Sequence, residues 1–349
     1  MARPLTSASA QWEPTQADIE SARITDFARF VAARAGREFA DYLALWLWSV
    51  DDPAGFWAAL WDYFELGERP DEVLAYDRMP GARWFTGAQV NYVDQIRRNA
   101  RTDRAAILTV AEGGAVTELA WSELLGRTAA FAETLRLFGV RPGDRVVGYL
   151  SNIPEAIIAF LATVSIGAIW SACGQDYTAK AALDRLGQLE PTVLVTADGY
   201  HFGGKAYDKS EDIAALREGL NTLTAAVLVS RLGAARPDWV DWAAASTPGG
   251  TELVTTAVDF DHPLWILYSS GTTGLPKGIV HGHGGVLLEH LKAIALQSNI
   301  GPDDTFFWYT SPSWMMWNFQ VAGLLVGATI VCYDGSPTYP SADALWHIA

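Results

Sequence analysis

The sequence predicts an α/β fold in which mostly parallel sheets are covered by helices, with a helical cap at the amino-terminal end. Three observations support this prediction. Apolar residues recur at helical spacing before residue 65, strand-like and helix-like segments alternate after residue 145, and 50% of the 349 residues are hydrophobic. A chain of this length and composition can bury a large core and form two lobes.

The cap is predicted from three helical segments. Residues 20–35 and 39–48 carry apolar side chains at helical spacing, and Asp52-Pro53 is a typical start for a third helix that runs to Phe64. Aromatic residues at this spacing fill a core more often than they bind a ligand. Four tryptophans are therefore assigned to packing, namely Trp46, Trp48, Trp57 and Trp61.

The segments that follow predict a hairpin and then alternating strands and helices. The predicted strands are 105–110, 116–119, 145–150, 168–171 and 192–196, and the predicted helices are 121–138, 178–189 and one from Pro154. Residues 233–248 form an excursion that Trp239 and Trp242 are expected to anchor. Because ligands of such sheets gather at the carboxyl ends of the strands, we expect the binding site there.

Composition excludes several classes of protein. With 25 Lys and Arg against 40 Asp and Glu, the formal net charge of −15 argues against nucleic acid or an anionic membrane as the main partner. Cys173 and Cys332 are far apart and fit neither a disulfide framework nor a zinc site. Residues 1–10 do not resemble a secretory signal, and the apolar stretches 153–170 and 321–332 are typical of core. We therefore expect a soluble, cytoplasmic protein.

A loop rich in hydroxyl groups and glycine follows the strand-like run 264–267. It reads Tyr-Ser-Ser-Gly-Thr-Thr-Gly-Leu-Pro-Lys-Gly and predicts a cradle for phosphate, because glycines let backbone N–H groups turn inward while hydroxyls and an ammonium add donors. The candidate phosphate ligands are Ser269, Ser270, Gly271, Thr272, Thr273, Gly274 and Lys277.

Two other kinds of loop could have this composition. An ordinary surface loop is the common outcome for a short Gly-Thr-Thr-Gly segment, but eleven residues of this composition after an apolar strand make it a poor explanation. The loop of P-loop NTPases requires a Ser or Thr after the lysine and then a helix. Here Gly278 follows Lys277 and a second strand is predicted next, so that class is disfavoured.

Residues 268–278 resemble the phosphate-loop signature of the adenylate-forming acyl-CoA synthetases. The resemblance implies activation of a carboxylic acid with ATP and Mg²⁺ to an acyl-adenylate and diphosphate, followed by transfer of the acyl group to coenzyme A. It also implies that the fold is the large amino-terminal domain of such an enzyme. Residues 84–91 are similar to the entry segment of the acetyl- and acetoacetyl-type branch of the family.

A second glycine-rich turn spans residues 198–205. By itself it predicts a surface loop. On the resemblance, it aligns with the family segment that meets the nucleotide part of coenzyme A, and Gly203, Gly204 and Lys205 are therefore candidate coenzyme A ligands. His281 and His283 lie beside the phosphate loop, but nothing nearby completes a metal site, and neither is given a chemical role.

The acyl pocket is expected in residues 310–318. The resemblance places an aromatic wall at Trp314, with Met315 and Met316 beside it, although filling of the core is the alternative for such a run. Asn318 would need hydrogen-bond partners if buried, which makes it a candidate for orienting a polar substrate group. The pocket run resembles the branch that uses acetoacetate more than the branch that uses acetate, and acetate or propionate remains the alternative acid.

The family's later motifs do not occur in the 349 residues. These are the adenine-binding turn, the magnesium carboxylate, the ribose-binding Asp, and a second lobe with a catalytic lysine. We therefore expect residues 1–80 to form the cap and residues 81–349 an incomplete nucleotide-binding domain that is inactive by itself. No catalytic proton-transfer group or metal ligand is assigned. A non-catalytic nucleotide-binding protein and a phosphotransferase that forms ADP are the alternatives from other classes, and the oligomeric state is left open.

Overall fold

The computed structural model describes residues 12–233, 236–269 and 274–349. The amino-terminal part is helical. Its elements are α1 (Gln16–Ser21), α2 (Arg23–Ala35), α3 (Tyr42–Asp51), α4 (Pro53–Tyr63) and the short strand pair β1 (Leu74–Tyr76) and β2 (Arg83–Trp84). The Asp52 side chain accepts a hydrogen bond from the backbone N–H of Gly55 at 2.9 Å, and Pro53 occupies the first turn, so α4 begins where the sequence predicted.

Strands and helices alternate in the part that follows. Its elements are β3 (Gln89–Val90), α5 (Tyr92–Arg98), β4 (Ala105–Val110), β5 (Val116–Ala120), α6 (Trp121–Leu137), β6 (Arg145–Tyr149), α7 (Pro154–Ser165), β7 (Ile169–Cys173), α8 (Ala179–Leu186), β8 (Val193–Ala197), β9 (Gly199–Phe202), β10 (Lys205–Asp208), α9 (Ser210–Gly219), β11 (Ala225–Val229), β12 (Val240–Asp241) and α10 (Trp242–Ala245). Residues Gly187–Leu189 extend α8 as a 3-10 turn.

The remaining elements surround the predicted phosphate loop and pocket. They are β13 (Val258–Asp259), β14 (Pro263–Ser269), β15 (Lys277–Gly282), α11 (His283–Leu291), β16 (Thr305–Phe307), α12 (Met315–Val321), β17 (Thr329–Tyr333) and α13 (Ala344–Ile348). A π-helical segment, Lys292–Gln297, continues α11, and a 3-10 segment, Ala322–Val326, continues α12.

Two sheets form the scaffold. The larger has the strand order β12-β11-β8-β6-β7-β14-β15, and every pair in it is parallel except β14 with β15. The smaller has the order β16-β17-β4-β5, in which β4 and β5 form an antiparallel hairpin. The prediction of mostly parallel sheets covered by helices is therefore confirmed.

Alternate residues of the larger sheet face different helix layers. Val146 packs into the main core with α6, α7 and residues of the smaller sheet, whereas Val147 packs with α8 and α9. This alternation follows from the two-residue period of a strand, and burial on both faces explains why most residues of β6 and β8 are apolar. Helices α6 and α7 thus lie between the two sheets.

The cap packs on the rest of the chain through an aromatic cluster. The Trp61 and Phe85 rings are stacked with centroids 4.9 Å apart, and Phe260 joins them. Trp48 and Trp61 are buried and Trp57 is half-buried, as the helical spacing predicts. The assignment of Trp46 to packing is wrong, since its side chain is 47% exposed because it lies on the outer face of α3.

Trp239 and Trp242 are buried, so both anchor residues of the predicted excursion are confirmed within the part of it that the structure describes. None of the described helices has both the length and the apolarity needed to cross a bilayer. The division at residue 80 stays a prediction.

Candidate functional site

A cavity of about 500 Å³ lies at the carboxyl edge of the larger sheet. Two neighbouring parallel strands lead into it, since β6 is followed by Ser151 and Asn152, and β7 is followed by the segment 174–176. Carboxyl ends of parallel strands meet at one edge, which is where such folds bind ligands. The cavity is lined by Ser151, Asn152, Gly174, Gln175, Asp176, Tyr200, Phe202, Trp308, Tyr309, Thr310, Ser311, Trp314, Met316 and Asp334.

The turn before α12 forms one wall of the cavity and is held against the end of β7. The backbone N–H of Gly174 donates to Ser313 Oγ at 2.5 Å. A Cβ at position 174 would clash with Asp176 Oδ1 and lie 2.6 Å from Ser311 Oγ, so any larger residue would have to displace these side chains. This contact places Trp314 and Met316 over the strand ends.

The predicted pocket residues are divided by the start of α12. Trp314 and Met316 line the cavity, and the Trp314 side chain is 62% exposed. Met315 begins the helix and is also exposed, but it does not line the cavity. Asn318 is buried away from the cavity, because successive helical side chains turn by about 100°. The Asn318 Oδ1 atom has no hydrogen-bond partner among the described residues.

Two of the residues that line the cavity, Asn152 and Gln175, have buried amides with one unpaired atom each. The Oδ1 of Asn152 accepts a hydrogen bond from the Trp317 indole N–H at 3.1 Å, and its Nδ2 has no partner among the described residues. The Nε2 of Gln175 donates to the Ala197 carbonyl at 2.8 Å, and its Oε1 has no partner among the described residues. Buried polar atoms are normally paired, so this donor and this acceptor point to a polar ligand or ordered water.

Charged groups stand beside these amides. Asp334 Oδ2 accepts hydrogen bonds from the Ser151 hydroxyl at 2.8 Å and from the Arg231 guanidinium. Burial raises the pKa of the Asp176 carboxyl, and its own backbone hydrogen bond and the Lys209 ammonium oppose that rise only in part. The cavity wall therefore contains the Asp334 carboxylate, which is paired with the Arg231 guanidinium, and the Asp176 carboxyl, whose ionisation is disfavoured by burial.

The sequence did not single out Asn152, Gln175 or Asp176. Each is among the first residues after the carboxyl end of β6 or β7. The general rule for ligand position in parallel sheets was therefore the available signal for finding them.

The predicted phosphate loop leaves the sheet at the same edge as the cavity. Strand β14 runs parallel to β7, with Trp265 opposite Trp170, so Ser269 emerges near the segment that follows Cys173. Ser270, Gly271, Thr272 and Thr273 lie outside the described residues. Ser269 pairs with Lys277, and the chain continues as β15, antiparallel to β14. The predicted second strand is therefore confirmed, and it differs from the helix that follows a P-loop lysine.

The ends of this loop fit a phosphate chain. Lys277 is exposed, and in the described ranges its ammonium makes no ion pair or hydrogen bond. Gly274 has φ of 140°, a backbone conformation that glycine adopts without strain. An unpaired ammonium beside such a turn is suited to binding anionic oxygens.

The second glycine-rich turn binds an internal carboxylate. Glu112 accepts hydrogen bonds from the backbone N–H of Gly203 at 2.6 Å and of Gly204 at 2.8 Å. Both glycines have positive φ, and a Cβ at Gly204 would lie 2.6 Å from the Tyr339 hydroxyl. Their amides are thus engaged, whereas Lys205 is exposed at the start of β10. Of the three candidate coenzyme A ligands, the Lys205 ammonium is the donor that fits a phosphate.

The two histidines after the phosphate loop accept hydrogen bonds from β14 and α5. His281 Nδ1 accepts from the Trp265 indole N–H at 2.9 Å, and His283 Nδ1 accepts from the backbone N–H of Tyr92 at 3.2 Å. Burial lowers the pKa of both, to about 3 for His283, so both rings are neutral at pH 7. No group of three or more metal-ligating side chains occurs among residues 12–233, 236–269 and 274–349.

Comparisons with known proteins found two family models and several relatives that match the chain. The family model described as AMP-binding enzyme matches residues 95–349, and the model described as Acetyl-coenzyme A synthetase N-terminus matches residues 42–96. The chain is 37% identical to acetoacetyl-coenzyme A synthetase of Rhizobium meliloti over 97% of its own length and 53% of the relative. It is 34% identical to malonamoyl-CoA synthetase of Penicillium aethiopicum over 92% of its length and 47% of the relative.

A solved structure has the same fold over nearly the whole of this chain. Acetoacetyl-CoA synthetase from Streptomyces lividans superposes with a TM-score of 0.94 at 48% identity, covering 97% of this chain and 53% of that one. The chain thus spans about half the length of the relatives it matches.

Proposed function

We propose, from the premise that the chain belongs to the AMP-binding enzyme family, that it supplies the acid-binding and phosphate-binding parts of an AMP-forming acyl-CoA synthetase. The acid is acetoacetate. Its carboxylate attacks the α-phosphorus of ATP, diphosphate leaves, and the thiol of coenzyme A then takes the acyl group and releases AMP.

The observation that carries this proposal is the shared edge of the cavity and the phosphate loop. The cavity opens after β6 and β7, and the loop leaves β14, the next strand of the same parallel set. An acid in the cavity would therefore have its carboxylate close to phosphates held by the loop. The Lys277 ammonium and the loop donors would stabilise the negative charge that develops on the leaving diphosphate.

The choice of acid is supported by the relatives. The names of two of these relatives refer to an acetoacetyl group and a malonamoyl group. These two groups have the same length and share a carbonyl oxygen at C3, which acetyl and propionyl groups lack. Asn152 and Gln175, which line the cavity, each have a buried hydrogen-bonding atom without a partner among the described residues, and a polar acid could pair with such an atom, whereas a purely aliphatic one could not.

The nucleotide product tests this proposal. The full-length polypeptide should convert acetoacetate, ATP and coenzyme A, in the presence of Mg²⁺, to acetoacetyl-CoA with one AMP per thioester. Acetate and propionate serve as the competing acids. Formation of ADP would support a phosphotransferase instead, and nucleotide binding without turnover of any acid would support a non-catalytic role.

A further inference from the structure

We propose that Asn152 determines acid specificity by donating a hydrogen bond from its Nδ2 to the C3 carbonyl oxygen of the acid. This inference rests on the proposed function, since it names the group that recognises the substrate of that reaction. It concerns a residue between β6 and α7 that the phosphate loop and the predicted pocket run do not include.

The orientation of the Asn152 amide is fixed by Trp317. An indole nitrogen can only donate, so the amide atom that meets it at 3.1 Å must be the oxygen. Rotating the amide by 180° would bring its NH₂ group against the indole N–H and leave both donors unpaired. The Nδ2 is therefore the atom left for another partner, and Trp317, itself buried, acts as a positioning residue.

The free donor is buried within the cavity wall. Asn152 is 3% exposed, and its Nδ2 has no hydrogen-bond partner among the described residues. A buried amide without a partner is costly, so an acceptor that reaches it gains the full difference between paired and unpaired states. The Asn152 side chain also lines the cavity that contains Trp314 and Met316, where the acyl group is proposed to lie.

Neighbouring polar groups are committed to other partners. The Ser151 hydroxyl donates to Asp334, and the Gln175 amide donates to the Ala197 carbonyl, which leaves only its acceptor oxygen unpaired. Among the described lining residues that are more than nine-tenths buried, Asn152 is the one whose side-chain donor is unpaired. A ligand carbonyl oxygen at this depth is thus best satisfied by Asn152.

The test compares acetoacetate with butyrate, which has the same chain length and no oxygen at C3. The reaction measured is acid-dependent exchange of labelled diphosphate into ATP without coenzyme A, so that thiol binding does not enter. The full-length enzyme should prefer acetoacetate in kcat/KM by at least roughly 100-fold, because a site built to bind an oxygen rejects the analogue that lacks it.

Asn152→Leu should lower kcat/KM for acetoacetate by roughly 100-fold and change that for butyrate only a few-fold, so the preference collapses. Malonamate should follow acetoacetate. Asn221→Leu, the same change at an exposed turn between α9 and β11, is the matched control and should leave the preference unchanged. Trp317→Phe should reduce the preference partially, since the amide then loses the donor that orients it.

Three results would overturn the inference. These are a wild-type enzyme without preference for acetoacetate over butyrate, an Asn152→Leu variant with the wild-type preference, and an equal loss for both acids. If Asn152→Leu does not fold, Asn152→Ser, whose shorter hydroxyl does not reach the same position, is measured in its place with the same expectations. A wild-type enzyme that activates no acid would instead contradict the proposed function.

Discussion

The Glu112 carboxylate accepts a hydrogen bond from the backbone N–H of Gly203 at 2.6 Å, which ties the turn between β9 and β10 to the end of β4. The same carboxylate accepts from Gly204 at 2.8 Å and from the backbone N–H of Ser336 at 2.8 Å. A turn that by itself predicts a surface loop, and that the family resemblance makes a candidate coenzyme A contact, thus binds a carboxylate of the chain itself. In the described structure, Glu112 joins the β9–β10 hairpin to the segment after β17.

Glu112→Gln should destabilise the fold by about 1–3 kcal/mol, because an amide NH₂ would replace one acceptor oxygen and face a backbone N–H. The free energy of unfolding from urea denaturation measures the effect. Glu118→Gln removes the same charge from an exposed position of β5 and is the control. Equal stability of the two variants would show that the three hydrogen bonds contribute little.

Lys277→Ala should lower the rate of acetoacetate-dependent diphosphate exchange by roughly 10²–10³-fold, since a charged donor to the leaving phosphates is lost. Lys180→Ala removes an ammonium that is exposed on α8 and pairs with Asp184, so it controls for net charge. An exchange rate for Lys277→Ala that matches this control would exclude the assigned role.

His290 predicts a pH dependence of stability. Its ring is buried beside Tyr92, whose hydroxyl lies 3.1 Å from Nδ1, and burial, with a smaller effect from His281, lowers its pKa to about 3. The unfolded chain binds a proton below about pH 6.5 and the folded chain does not, so the free energy of unfolding falls as pH falls from 6.5 towards 3.

His290→Phe should remove about 1 kcal/mol per pH unit from that slope between pH 6 and 5. Urea unfolding at several pH values measures it, with His201→Gln, a change at an exposed ring, as the control. A slope identical to that of the wild type would mean that His290 is protonated in the folded state.

Both cysteines should be unreactive in the folded protein. Cys173 and Cys332 are buried, and burial raises the pKa of both thiols, to about 12 for Cys173, so neither is a thiolate at pH 8. A thiol reagent should label none rapidly under native conditions and 2 after denaturation. Rapid labelling of the native protein would show that one of these core regions opens readily.

The sequence was a good guide to the fold because the elements have strong local signals. The strand β6 is mostly apolar after Arg145, and Pro154 starts α7. The antiparallel pair that flanks the phosphate loop follows from apolar residues on both sides of the loop. Trp46 was the exception among the cap tryptophans. Trp46 and Trp48 are two positions apart, so they project about 200° apart on α3, and only Trp48 faces the core.

Only some of the candidate site residues could be identified from the sequence. Some belong to continuous motifs, whereas others depend on contacts between residues that are far apart in the chain. The phosphate loop and Trp314 belong to continuous segments, which a motif can identify. Asn152 becomes informative only when Trp317, 165 positions away, fixes its amide, and Glu112 meets Gly203 across 91 positions. Pairings of this kind depend on the tertiary fold and leave no periodic pattern in the chain.

The most direct test of the account follows an oxygen atom. Acetoacetate labelled with ¹⁸O in its carboxylate, incubated with the full-length enzyme, ATP and coenzyme A, should transfer one labelled oxygen to the phosphate of AMP. This result is expected because the carboxylate oxygen bonds to the α-phosphorus and remains there when the thiol takes the acyl carbon. Label in inorganic phosphate or diphosphate, or AMP without label, would contradict the proposed adenylation.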